Sequence, residues 1–312
     1  LLVLLLGGCS RAPQQRLAYR ESWELLGLAL PVGVIDARVA VGNTGLYRNQ
    51  GTVVLDRFGV DLDSVHYLRR SGPGETERSA DGRHLVLSDD TLDGGPGEGG
   101  GQRWRLRVRS EEANAIVEVR GTTGGPAAAT VDGGGQWSQE PVLVDGTLHG
   151  WLEAGKRGGR LDGRAVVLRR GGDGLVDAPR TTVAVFCDAL SVGVDQHGEL
   201  ASAWRVPGNP TATGRAWLEA DGSGELEVDG VRVRFAPTRS VHRTEVYDHL
   251  SALERALVDL RGTEAVRTVA QLRTQVTVDG VEQRCPGLLV RVDEDGLEAP
   301  TRRAKKRRRG SP

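Results

Sequence analysis

The sequence predicts a mainly β protein, an antiparallel meander with one helix near the C-terminal end. Three observations carry that expectation. Glycine supplies 44 of 312 residues, while 38% are hydrophobic and 4% aromatic, a composition of many turns. Segment after segment alternates apolar and polar residues with period two, as a strand with one buried face requires. Ten Asp-Gly dipeptides, beginning at residues 81, 93, 132, 145, 162, 173, 221, 229, 279 and 295, punctuate the chain. Asp-Gly suits a two-residue hairpin because both residues tolerate positive φ. Strands joined by tight turns pair with their sequence neighbours, and such a sheet must curl and close, or split in two, to hide its edges.

The chain opens on LLVLLLGGCS. An apolar run into Leu6-Gly7-Gly8-Cys9 reads as the end of a signal peptide closed by a bacterial lipobox, with its charged n-region expected upstream. Cys9 is then the lipid attachment site and the first residue of the mature chain, and residues 10–20 are a linker. No later stretch approaches the roughly 18 apolar residues of a spanning helix, so the expected anchor is lipid alone. The expected location is the bacterial cell envelope, on the periplasmic face of the outer membrane. Two other cysteines, Cys187 and Cys285, fall in predicted strands. They either pair in an oxidising compartment or remain buried thiols.

Residues 34–41 set Ile35, Ala37, Val39 and Val41 against Asp36 and Arg38. Strands follow at 52–58, 64–70 and 84–88. The Gly-rich run 93–101 is expected as a flexible loop; no helix opens after it, which removes the phosphate-cradle reading. Residues 102–110 put Trp104, Leu106 and Val108 on one face and Arg103, Arg105, Arg107 and Arg109 on the other, an arginine ladder expected to face solvent and pair with neighbours such as Glu118. Strands at 114–120 and 164–170 precede a turn-rich junction at 171–179. Beyond it come strands at 181–188, 190–195, 200–206, 214–219 and 231–235. The helix is placed at 251–261, where Ser251 and Glu254 form a capping box, Leu253, Leu257 and Leu260 a stripe, and Gly262 a stop. A hairpin of 265–278 and 281–292 closes the fold, with Ala270, Leu272, Val276 and Val278 on one face. The tetrad Trp151-Leu152-Glu153-Ala154 recurs at 217–220, too close for a whole-domain duplication. The expected division is an N-terminal domain at 21–172, a C-terminal one at 179–298, and a basic tail at 299–312.

Charge excludes more than it indicates. The 41 basic residues are 38 Arg and three Lys against 42 acids, so no nucleic-acid partner is expected. Seven of the bases lie in the last eleven residues, Arg302 to Arg309, which leaves −8 on the rest of a chain of net charge −1. That tail is a solvated segment or a tether to anionic lipid. The six histidines show no metal-ligand spacing, so no metal or cofactor is expected. Asp293-Glu294-Asp295-Gly296 resembles a calcium loop, but Arg291 stands at its first ligand position. Tyr247-Asp248-His249 groups three ionisable side chains before the helix, where Asp248 is a catalytic acid or a helix-start cap.

The order of strands, the Trp-containing hairpins, the stretch from Gly150-Trp151 to Gly163, and a late helix followed by a long hairpin resemble the AttH and hydroxyneurosporene synthase group. That resemblance implies two consecutive lipocalin-like antiparallel β-barrels across residues 20–298, suited to apolar ligands. Carotenoid 1,2-hydratases of the group carry an Asp-His-Asn-Trp-Gly type motif; here Asp248-His249 is followed by Leu250-Ser251, so no catalytic residue is carried over. The leading expectation is a non-catalytic, membrane-anchored protein holding a lipid or other apolar small molecule inside a barrel, with Trp104, Trp137, Trp151, Trp204 and Trp217 lining or closing the cavity. The alternatives are a hydratase-like enzyme using Asp248, His249 and Tyr247, and an envelope scaffold with filled barrels.

Overall fold

The computed structural model describes residues 19–29, 33–44, 47–59, 64–97, 101–123, 138–173, 180–197, 200–209, 212–245 and 266–293. They form two antiparallel sheets. The first contains β1 (Tyr19–Ala29), β2 (Gly33–Thr44), β3 (Tyr47–Phe58), β4 (Val65–Ser71), β5 (Thr76–Arg78), β6 (His84–Leu87), β7 (Asp90–Pro96), β8 (Gln102–Arg109), β9 (Asn114–Thr123), β10 (Ser138–Ala154) and β11 (Arg157–Asp173). The second contains β12 (Arg180–Cys187), β13 (Leu190–His197), β14 (Leu200–Val206), β15 (Gly214–Leu218), β16 (Gly224–Val228), β17 (Val231–Glu245), β18 (Val266–Val278) and β19 (Val281–Asp293).

Both sheets are meanders in which the first strand also pairs with the last: β1 with β11 from Tyr19↔Asp173 to Ala29↔Gly163, and β12 with β19 from Arg180↔Val292 to Val185↔Gly287. Each curls into a nearly closed barrel with one weak seam, between β4 and β5 in the first and between β14 and β15 in the second. Side chains and single bridges close those seams. Tyr67 Oη donates to Asp90 Oδ2 (2.9 Å) and Asn49 Nδ2 to the Thr76 carbonyl (2.8 Å), while an isolated bridge joins Ala203 to Ala212. The expected two lipocalin-like barrels are the fold observed.

The barrel interiors follow from the period-two pattern. Trp23, Leu25, Ile35, Ala37, Val39, Val53, Leu55, Leu106, Val117 and Val167 meet with their neighbours in one contiguous cluster inside the first barrel. Val183, Val185, Val192, Val194, Leu226, Val233, Leu272 and Leu289 do so in the second. One mouth of the first barrel is closed by Glu21, which accepts from Arg78 Nε (2.8 Å) and Arg169 Nε (2.7 Å), with the Gly82 turn lying across them. A disulfide between Cys187 and Cys285 lies in the second core and ties β12 to β19.

Several expectations change. The Gly-rich run is not a loop at its start, because Asp93 to Pro96 belong to β7, where Gly94 lies opposite Trp104. A Cβ on Gly94 would come within 2.7 Å of the indole, so glycine there lets the ring lie flat on the neighbouring strand. Asp-Gly is also less uniform than hairpin chemistry suggests. Among the described residues both members take positive φ only at Asp229-Gly230 (45° and 77°) and Asp279-Gly280 (50° and 81°), the tips of β16–β17 and β18–β19. Asp145-Gly146 and Asp162-Gly163 lie inside β10 and β11. Gly163 is needed there because a Cβ would stand 1.8 Å from the Leu28 carbonyl oxygen. The Trp-Leu-Glu-Ala copies fall in β10, the penultimate strand of one barrel, and at the end of β15, the fourth of the other, so the echo is not structural. The helix expected at 251–261 and the tail lie outside the described residues.

Candidate acid/base site at the joint between the barrels

The two barrels meet through their outer faces. Strand alternation that turns Leu25, Ile35 and Leu55 inward turns Glu24, Leu26 and Leu28 on β1, Val34, Asp36 and Arg38 on β2, and Asp56 and Phe58 on β3 outward, and the second barrel covers them. It contributes Ala184, Phe186, Trp204, Val269, Leu288, Val290 and Val292 to the apolar part of the joint. Direct bonds add to the packing: Ser191 Oγ donates to the Val144 carbonyl (2.6 Å), and Gln139 Nε2 donates to that of Asp195 (2.5 Å).

Within this apolar frame sits a buried network of four carboxylates and four guanidiniums. Glu24 accepts from Arg170 Nη1 (2.5 Å), Arg180 Nη2 (3.2 Å) and Arg267 Nη2. Arg267 also grips Asp36 with Nε and Nη2, both at 3.0 Å. Arg170 crosses the joint to Asp195 with Nε and Nη2, both at 2.9 Å, and Thr182 Oγ1 donates to the same carboxylate (2.6 Å). Asp56 takes Arg38 Nη2 at 2.8 Å. Burial alone would raise Asp195, but Arg170 and Arg180 hold it below the usual carboxylate range. Burial, with the neighbouring Asp56 charge adding to it, pushes Asp36 up to about 6, and burial drives Arg267 and Arg180 down to about 9. Around neutral pH Asp36, Asp195, Arg180 and Arg267 are therefore charged, each facing opposite charge in the network.

The rim of the network has a different chemistry. Asp36 and Asp56 stand directly opposite on β2 and β3, and Asp56 is opposite His66 on β4. His66 Nδ1 lies 2.5 Å from Asp56 Oδ1; burial opposes the charge on Asp56, yet the His66 hydrogen bond and Arg38 hold its carboxyl below the usual range. From the second barrel His242 on β17 stacks on Phe58 with ring centroids 4.8 Å apart. Its Nε2 is buried, 3.9 Å from Asp56 Oδ1, and makes no hydrogen bond among the described residues. Burial holds His242 below its ordinary value, so the ring is neutral at pH 7. A neutral imidazole beside an ionised carboxylate and an aromatic wall is an arrangement able to accept or return a proton.

A pH dependence follows. His242 and His197 are both depressed by burial, so on acidification below about 6.5 the unfolded chain takes up protons first and stability falls as pH drops through their folded values. Asp36, raised to about 6, acts oppositely, because the folded state protonates it first and stability is recovered below that value. Thermal midpoints at about pH 7.5 and 5.5 span both effects, and because Asp36 is common to parent and variant, replacing the histidines separates their share. His197→Gln/His242→Gln is expected to lose less stability on acidification than the parent, and an unchanged pH dependence contradicts the assignment.

The structure distributes the sequence-predicted residues unevenly. Trp104 is buried in the first barrel core, and Trp204 is fully buried in the joint, opposite Gly193. Trp151 (36% exposed) and Trp217 (50% exposed) stand on outward faces, so neither lines a barrel interior; both share strand parity with polar neighbours. Trp137, Tyr247, Asp248, His249 and Cys9 lie outside the described residues. Two hollows, about 930 Å³ beside β4 and about 430 Å³ over β16 to β19, are open and lined largely by charged residues. Among the described residues no three His, Cys, Asp or Glu side chains group as a metal site, and no helix is long and apolar enough to cross a membrane.

The fold and its joint define a class: tandem lipocalin-like barrel proteins, in which two meandering barrels pack side against side. Among solved structures of this fold the chain is similar to CghA (TM-score 0.55, 8% identity, 91% of this chain and 90% of that one) and to kievitone hydratase from Nectria haematococca (0.51, 10%, 88% and 89%). It also aligns with a protein designated AttH from Nitrosomonas europaea (0.48, 14%, 93% and 98%). No protein-family model and no curated protein sequence matches the chain.

Proposed function

We propose that this protein is an exported, lipid-anchored member of the tandem-barrel class. Its working site is the rim of the joint, where it adds or removes a proton on an apolar, unsaturated small molecule in the manner of a hydratase. The observation that carries the catalytic part is His242: a neutral, half-buried imidazole whose shielded Nε2 makes no hydrogen bond among the described residues, next to Asp56 and against Phe58. Adding water across a double bond requires one group to deliver a proton to carbon and another to take one from the attacking water. The His66–Asp56 pair and His242 supply two such groups from different barrels. Val34, Val269 and Phe58 supply the apolar contact. A hydratase among the similar structures supports the reading at the level of fold. Export is supported by the lipobox at Leu6-Gly7-Gly8-Cys9 and by the Cys187–Cys285 disulfide, a bond typical of oxidising compartments. The proposed site of residence is the periplasmic face of a bacterial outer membrane.

The proposed ligand site is the joint, since apolar side chains form a contiguous core inside each barrel. Incubating the protein with apolar envelope extract in heavy-oxygen water is expected to yield a labelled hydration product. His242→Gln should reduce its formation by about a hundredfold or more, the usual size of a general acid/base contribution. No labelled product, or equal product from the variant, refutes the catalytic reading. The mass of the Cys9 peptide from native cells tests the anchor separately.

A further inference from the structure

We propose that the outward face of β8 and β9 docks on an anionic membrane surface, its arginines taking lipid phosphate and Trp151 entering the interfacial layer. The outward positions of these two strands carry Arg103, Arg105, Arg107, Arg109 and Arg120 against one carboxylate, Glu118. Glu118 is already shared by Arg120 and by Arg105, whose Nε lies 3.6 Å from it. Arg103 stands directly opposite Arg120. Like charges in that position repel, and the pair is relieved by an anion between them. The planar guanidinium fork matches phosphate oxygens bidentately, so arginines on an outward face suit lipid phosphate.

The same face carries the apolar element a membrane needs. Trp151 on β10 pairs across the strand with Ile116 on β9, and this pair is bracketed by Arg107 on one side and Arg160 on the other. Trp151 is 36% exposed, one of few large hydrophobic side chains left outside among the described residues. An indole flanked by arginines is the composition that settles at a lipid headgroup layer, with the ring among the acyl–headgroup boundary and the cations at phosphate. An acidic protein body would otherwise be repelled by such a surface, so a locally cationic face also sets which side of the barrel turns toward it. The inference is independent of the Cys9 anchor, since its test uses chain without lipid.

The test is flotation of full-length Cys9→Ser protein with vesicles of phosphatidylglycerol and phosphatidylcholine, and with phosphatidylcholine alone. Binding only to the anionic vesicles, weakened by salt, is expected. Each basic residue near a charged bilayer contributes about fivefold in partitioning, so Arg103→Gln/Arg107→Gln is expected to bind about twenty-five-fold more weakly. Trp151→Ala should weaken binding further. The basic C-terminal tail is present in every protein compared and cancels. Should the double variant melt early, Arg107→Gln alone carries the fivefold expectation. Equal flotation of parent and Arg variants would assign binding to the tail and overturn the proposal, as would no preference for anionic vesicles. Displacement by inorganic phosphate at matched ionic strength would overturn it too, by showing a free-phosphate site in place of a lipid surface.

Discussion

Arg170→Met lowers the stability of the folded protein by about 3–5 kcal/mol, the usual cost of removing one partner from a buried ion pair. Arg170 is 1% exposed, and its guanidinium is shared between Glu24 in its own barrel and Asp195 in the other. Methionine fills much of the volume, so the loss measures charge left uncompensated and not a cavity. Asp195 would retain the Thr182 hydroxyl as a hydrogen-bond donor, while its bidentate partner across the joint is gone. Adding Asp195→Asn to Arg170→Met should recover part of the loss, because the stranded charge disappears; this non-additivity is the signature of a shared network. Denaturant unfolding followed by tryptophan fluorescence measures both, since Trp204 is buried at the joint. A loss under about 1 kcal/mol, or no recovery in the double variant, means the network does not hold the joint together.

The second large effect belongs to the disulfide. Cys187 and Cys285 are 98 residues apart in sequence, and their bond locks the first strand of the second barrel to the last. Cross-linking a loop of that length restricts the unfolded chain by an amount worth up to about 4.7 kcal/mol, and removal of native disulfides typically costs 2–5 kcal/mol, each an order-of-magnitude figure. Cys187→Ala/Cys285→Ala is therefore expected to destabilise the chain by about 2–5 kcal/mol, and reduction of the parent should reproduce that loss. A reductant that leaves the parent midpoint unchanged, or that shifts the variant equally, shows that the bond is absent or carries no load. The β12–β19 ladder joins the first strand of the second barrel to the last and is what the disulfide staples, so its loss should appear as faster hydrogen exchange in this strand pair, read at Val183 and Leu289.

Much of the fold is legible in the chain. Alternation at 34–41, 102–110 and 270–278 places Ile35, Leu106 and Leu272 inside, and each is buried in a barrel core. The arginine ladder is outward and Arg105 does stand opposite Glu118. The candidate site is much less legible. Asp36 and Arg38 were visible as the polar face of a strand, and a polar strand face is expected to be wet; here a second barrel covers it. A signal existed in the runs that fail to alternate: Leu25-Leu26, Val166-Val167-Leu168 and Val183 to Phe186 are apolar on both faces, which marks strands covered on both sides. Glu24 and Arg170, charges inside such runs, point to a buried ion network. Tyr247-Asp248-His249 drew the attention of sequence reasoning instead because adjacency in sequence is visible and adjacency across strands is not.

Sequence alone determined that this chain is a meander of half-buried strands and which side chains of most strands turn inward, because side-chain direction follows from a local period of two. Tertiary structure alone decided which outward faces are covered, that Arg170 and Arg267 reach carboxylates 25 to 243 residues away, and that His242 meets Asp56 and Phe58. The physical reason is range. Alternation and turn chemistry act over a few residues, whereas the choice of partner for an outer face depends on how two closed barrels fit together, and no local pattern encodes that fit.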